Sequence, residues 1–307
     1  MGASNDGAVA RTVLGDVPAR TLGVTNAHDH LMFASPLLPG QELDDPVAAR
    51  RELDRFAAAG GRTVVQWTPA GLGRGLAVLP ELSRSSGVTV IAATGRHRAE
   101  HHPPAGRVND RVDDELLLER FLADLSAPVP CGIIKVGTGF HHIDDWERQS
   151  LTAAAEASRT TGCSVAVHLE LGTAGLDVVN ELTSNGVPPG SVILGHVGRN
   201  PDPAYQADLA ATGVLLCFDG PSRANHATDW RLVESMRALA AAGHLGQLLL
   251  GGDTTTAAAR SVDSGPGMPA LLTRTAGAIG EALGPSAVQA ILVENPMSAF
   301  AWQRPQA

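Results

Sequence analysis

Val24-Thr25-Asn26-Ala27-His28-Asp29-His30 ends a short apolar run with two histidines two residues apart. In a β-strand, residues i and i+2 project from the same face. His28 and His30 would then stand side by side, as two ligands of one metal must. His-x-His alone is a common accident. It gains weight here because four later strand-like runs each end in another residue able to bind or bridge a metal.

Those runs alternate with helices through the chain. Strands are expected at Arg62–Trp67, Gly87–Thr94, Gly132–Val136, Ser164–His168, Ser191–His196, Val214–Phe218 and Gln247–Asp253. Helical spacing fills the intervals, beginning at Asp44–Ala59. The strand runs are almost continuously apolar, as in strands covered on both faces. Eight such strands alternating with helices predict a closed (β/α)8 TIM barrel of the α/β class rather than an open doubly wound sheet. No dinucleotide-type glycine fingerprint follows the first strand. Ahead of the barrel, Arg11–Leu22 reads as a hairpin turning at Gly15-Asp16-Val17-Pro18. Residues 1–10 are expected to be disordered and 11–307 to form one barrel domain.

Composition narrows the class. With 44% hydrophobic and 18% charged residues, the 307-residue chain is globular. A formal net charge of -9 argues against a nucleic-acid surface. No apolar stretch reaches membrane-spanning length, and the N-terminus lacks a signal-peptide pattern. Cys131, Cys163 and Cys217 fall in or beside apolar runs and read as small buried hydrophobes of a reducing cytoplasm.

Six candidate ligands lie at the carboxyl ends of strands: His28, His30, Lys135, His168, His196 and Asp253. One strand–helix unit separates His168 from His196, and about two separate His196 from Asp253. The active sites of such barrels sit at this end, so the six side chains can converge. Four imidazoles and a carboxylate exceed the needs of one open tetrahedral ion and suit a pair of ions. An ammonium at Lys135 would be repelled there, whereas a carboxylated Lys135 (N6-carboxylysine) would be an anionic bridge. Singly, each residue has a plainer use. Lys135 could be the Schiff-base lysine of an aldolase, Asp253 a helix cap, and each lone histidine a core residue. A barrel keeping metals only to bind a ligand is a further alternative.

The set His-x-His, strand lysine, two strand-end histidines and final aspartate resembles the phosphotriesterase-like family of the amidohydrolase superfamily. Val13-Leu14-Gly15, Leu22-Gly23-Val24-Thr25, Gly195-His196 and Glu294-Asn295-Pro296 resemble it too. The resemblance runs from Thr12 to about Trp302. It implies a binuclear hydrolase with zinc, manganese or cobalt, and as a family habit a homodimer. His28, His30 and Asp253 would hold the more buried ion and His168 and His196 the more exposed one, bridged by Lys135. A metal-bridging hydroxide would attack, with Asp253 as general base and then acid.

The substrate is expected to be a small lactone or carboxylic ester, with a phosphotriester as the alternative. Lactonases of the family often carry a tyrosine after the third strand, where this chain has Gly95-Arg96-His97-Arg98. Basic residues crowd the expected mouth. Arg96, His97, Arg199, Arg223 and Arg260 are candidate contacts to an anionic substrate. Phe218–Arg223 and His196–Asp202 resemble segments of a branch acting on phosphorylated sugar lactones, although a lysine common there is Asn225 here.

Overall fold

The computed structural model describes residues 7–102, 113–220 and 226–302. A two-stranded antiparallel hairpin comes first, β1 (Val9–Thr12) and β2 (Gly15–Pro18). It turns at Val13-Leu14 rather than at Gly15–Pro18, which form its second strand. It also begins at Val9, so residues 9 and 10, expected to be disordered, are paired. Ala10 is fully buried there, and Val9 bridges to Trp302 at the far end of the chain.

Eight parallel strands build the barrel: β3 (Thr25–Asp29), β4 (Thr63–Gln66), β5 (Thr89–Thr94), β6 (Ile133–Thr138), β7 (Val165–Leu169), β8 (Val192–Gly195), β9 (Leu215–Asp219) and β10 (Leu248–Gly251). They pair in sequence order, and the ring closes where Gly252 N and Asp253 N both donate to His28 O, at 2.8 and 3.0 Å. The seam needs its glycines. A Cβ on Gly251 would lie 2.5 Å from His28 Cβ, and one on Gly252 2.3 Å from Asp29 Oδ2.

The outer layer is α1 (Pro46–Ala58), α2 (Leu79–Ser86), α3 (Asp114–Leu125), α4 (Asp145–Thr161), α5 (Gly175–Ser184), α6 (Pro203–Ala211) and α7 (Leu232–Ala241), then helical turns from Gly267 to Ala299. Local chemistry sets the starts. Asp45 caps α1 ahead of Pro46, and Asp144 and Glu147 form a reciprocal capping box on α4. Gly162 ends α4 in the left-handed region.

Both strand faces are buried, which explains the unbroken apolar runs. Val64, Val90, Ile134, Val167 and Leu216 face the helices. Val65, Ile91, Ile133, Ala166, Ile193, Cys217 and Leu249 fill the barrel. The inward set matters most, because a strand's period of two carries it to the rim. From Val65, Ile133, Ala166 and Cys217 it reaches Trp67, Lys135, His168 and Asp219. All three cysteines are buried and free. No helix among the described residues is long and apolar enough to cross a membrane.

Candidate metal centre

The six sequence candidates meet at the carboxyl rim. They line one cavity of about 300 Å³ together with Phe33, Leu37, Leu38, His97, Glu100, His101, Glu170, Arg199 and Thr255. The register of β3 against β4 shifts between Asn26 and Asp29, and His28 and His30 both enter the cavity. Trp67 belongs to the packed barrel interior and supports His28. Its indole stacks on His28 at 3.8 Å between centroids and donates to Ala27 O. His196 and Asp253 both have left-handed backbone, at φ 62° and 48°. That conformation costs a non-glycine residue about 1 kcal/mol or more and is tolerated where function fixes it.

Each histidine has one ring nitrogen held from outside and the other facing in. His28 Nδ1 is 2.7 Å from Asp219 Oδ1, and His196 Nδ1 is 2.6 Å from Asp219 Oδ2. His30 Nδ1 is 2.8 Å from Thr68 Oγ1. Thr68 spends its own proton on Met32 O, so its oxygen accepts from His30 and leaves Nε2 bare. His168 Nε2 is held by Glu170 Oε2 at 3.0 Å. The inward atoms are then lone pairs. Those of His28, His30 and Asp253 lie within 4.8 Å of one another. His168 Nδ1 and His196 Nε2 face each other at 2.8 Å. Two bare nitrogens that close repel; parted slightly, they would hold one cation at ligand distance.

Burial reinforces this. It pushes the His30 imidazole down to about 4, with His28 and Lys135 helping and Asp253 opposing. His196 also falls to about 4, chiefly from burial and then Arg199. His168 is lowered well below the usual range by burial and by His196 and His97. Neutral imidazoles are what a divalent ion requires. Burial opposes ionisation of Asp253, but His196, Arg199 and His28 outweigh it and hold the carboxyl well below the ordinary range. Lys135 is 2% exposed, and its amine makes no hydrogen bond among the described residues. Burial brings its amine down to about 7, against the pull of Asp253 and with the help of Arg98 and Arg199. The donor set fits two divalent ions: outer partners fix all four imidazoles, as at established metal sites.

The expected anion contacts divide. His97 and Arg199 line the cavity. Arg199 is not free, because its Nη2 pairs with Asp253 Oδ2. Arg96 points away from the cavity. It is buried over the Trp146 ring at 3.8 Å and donates to Trp146 O, Gln149 and Ser150. Arg260 is 2% exposed, donates to Leu31 O and lies outside the cavity lining. Arg223 lies outside the described residues. Position in a loop at the mouth did not separate arginines that line the cavity from those that brace the fold around it. Arg96→Met is accordingly expected to cost about 1–3 kcal/mol of stability by stranding its acceptors, with KM unchanged. Thermal melts beside steady-state kinetics check this, and a KM raised tenfold would return Arg96 to the substrate.

Asp219, which holds both His28 and His196, carried no role in the sequence reading, and neither did Thr68 or Glu170. For Asp219 the signal was available: it stands two positions beyond inward Cys217, as Lys135 does beyond Ile133. Thr68 gave no comparable cue.

The sequence profile of the phosphotriesterase family matches residues 8–300. The chain belongs to the phosphotriesterase family. Its members are binuclear metal hydrolases, and the protein is a hydrolase acting on esters. It is 33% identical over 246 residues to a phospho-furanose lactonase of Mycoplasmopsis agalactiae, covering 73% of this chain and 70% of that protein. A phospho-furanose lactonase of Mycoplasmopsis synoviae is 33% identical over 257 residues, covering 75% and 72%. Among solved structures, an amidohydrolase from Mycoplasma synoviae superposes with a TM-score of 0.89 at 29% identity, over 97% of this chain and 93% of that one. The lactonase of Listeria monocytogenes, at 23% identity and TM-score 0.88, covers 96% and 100% and shares the fold.

Proposed function

We propose that the protein is a metal-dependent hydrolase that opens a lactone, or cleaves a carboxylic ester, of a polar small molecule. The observation that carries this is the cavity whose four imidazoles are each held at the outer nitrogen, with the inner one turned toward the other candidate ligands. His28, His30 and Asp253 would hold one ion, His168 and His196 the other, and carboxylated Lys135 would bridge them. Zinc is the first metal to test, with manganese and cobalt as alternatives. When bound, the pair supplies an acidified water and polarises the substrate's carbonyl.

The chain's own groups do the rest. Asp253 enters ionised and is the only carboxylate among the proposed ligands, so it takes the attacking water's proton and returns it to the leaving oxygen. Arg199 steadies Asp253 Oδ2. His97 accepts from Arg98 N at its Nδ1 (2.8 Å), so the neutral ring carries its proton on Nε2 as a donor. Phe33, Leu37 and Leu38 form an apolar wall on one side of the cavity.

A phosphorylated sugar lactone is the first candidate, because two relatives are phospho-furanose lactonases. The described rim supplies little free positive charge, since Arg199 is paired with Asp253, and Arg98 with Glu170 and Glu100. The apolar wall favours a second reading, a neutral phosphotriester. A panel of sugar lactones with and without phosphate, beside an aryl phosphotriester, separates them. Lactones are expected to exceed the triester by at least about tenfold in kcat/KM, a difference of about 1.4 kcal/mol in transition-state binding. The opposite order would replace the lactonase assignment.

A further inference from the structure

The four histidines are not braced alike. Asp219 holds His28 and His196 from a nearly sealed position, with 3% of its side chain exposed. Thr68, which holds His30, is fully buried. His168 is braced by Glu170, whose side chain is 29% exposed at the rim. The same Glu170 oxygen that meets His168 also meets Arg98 Nη1. Arg98 is shared. Its Nη2 lies 2.9 Å from Glu100 and its Nε 3.6 Å from Glu147, the capping-box residue of α4. One guanidinium therefore ties the loop after β5, the start of α4 and the turn after β7.

That turn is unusually constrained. Leu171, next to Glu170, lies at φ 50°, Gly172 at 69° and Ala174 at 59°. A Cβ on Gly172 would come within 2.8 Å of His196 O and Asn200 N. A bulky side chain such as Leu171 rarely adopts left-handed backbone, and such strain collects at functional sites. The turn is held against the backbone of one metal histidine while its carboxylate reaches another.

We propose that Glu170 and Arg98 are a positioning pair acting through His168 on the more exposed metal position, and on that one alone. The inference rests on the binuclear assignment. Outer partners of ligating histidines typically change metal affinity by about 10- to 100-fold. Here the two positions share Asp219, but Thr68 braces the inner set alone and Glu170 the outer set alone, so one affinity can be changed without the other. Thr68, fully buried, braces a histidine of the inner set only. The rim pair tightens the outer ion, from a position that is 29% exposed at Glu170.

Chelator-stripped protein titrated with Zn²⁺ against a competing chelator yields two stepwise affinities. In Glu170→Gln one affinity is expected to fall about 10- to 100-fold while the other stays within about twofold. Arg98→Met should loosen the same ion by a smaller factor, because Glu170 is still present. If Glu170→Gln fails to fold, Arg98→Met and Glu170→Asp carry the test. Asp219→Asn, which touches a histidine from each set, should weaken both ions. General loosening of the structure would not produce this split. Wild-type protein taking up fewer than two ions would overturn the binuclear assignment itself. Two ions in the wild type, with both affinities unchanged or equally reduced in the Glu170 and Arg98 variants, would overturn the positioning pair only.

Discussion

Asp253→Asn is expected to keep the barrel and most of its bound metal and to lose about 10³-fold or more in kcat. Asparagine matches the shape and leaves His28, His30 and Lys135 in place, but it cannot take a proton. A positioned acid–base group is worth about 10²- to 10⁴-fold, and this one also contacts the ions' positions. The change has a second effect. Arg199 pairs with Asp253 Oδ2, and its Nε has no hydrogen-bond partner. Removing the charge leaves a guanidinium only 13% exposed without its counter-ion, which costs about 1–3 kcal/mol of stability. The two effects separate in Arg199→Met/Asp253→Asn. The double variant should regain most of the lost melting temperature and none of the turnover. Kinetics, metal analysis and thermal melts on the three proteins check this. Near-normal kcat in Asp253→Asn would remove Asp253 from proton transfer.

The barrel was legible because its strands are buried twice over. Runs such as Val192-Ile193-Leu194-Gly195 carry apolar residues on both faces, and only a covered parallel sheet requires that. The N-terminal hairpin was misplaced because Gly15 and Pro18 advertise a turn. The real turn, Val13-Leu14, is apolar, and Val13 is 2% exposed with its N–H donating to Val90 O, so it docks on β5. Tertiary contact overrode the local signal there.

The candidate metal ligands were legible because each lies at the carboxyl end of a strand. Lys135, His168 and Asp253 keep the inward alternation of Ile133, Ala166 and Leu249, whereas the register shift in β3 and the left-handed backbone at His196 turn the others in. The substrate side was not. Arg96 and Arg199 look alike in sequence, each in a loop just beyond a strand. Trp146 and Gln149 draw the first into α4, and Asp253 draws the second over the cavity. Those partners lie about fifty positions away, so no local pattern announces them. Among the described residues, the mouth thus carries less free positive charge than its arginine count implied.

Metal uptake by the stripped protein is expected to depend on carbon dioxide and to titrate through about pH 7 at Lys135. The buried amine is pushed down to about 7, so it is largely uncharged just above neutrality. Only the uncharged amine attacks carbon dioxide. The new N–C bond gives a carbamate, and the nitrogen's proton is released. For a lysine with a lowered pKa, the reactive form is fully present above about 7. It falls about tenfold for each pH unit below that value. At constant dissolved carbon dioxide, the rate of metal uptake should fall in the same way and level off above about pH 8. His30 and His196, at about 4, are already neutral throughout that window and do not contribute a competing limb. Lys135→Arg keeps a cation that cannot be carboxylated. It should show no carbon dioxide dependence, bind at most one ion tightly and lose hydrolysis by about 10³-fold, because a charge between two cations replaces the bridge. Uptake that is flat through pH 7 and indifferent to carbon dioxide would leave Lys135 an ordinary buried amine.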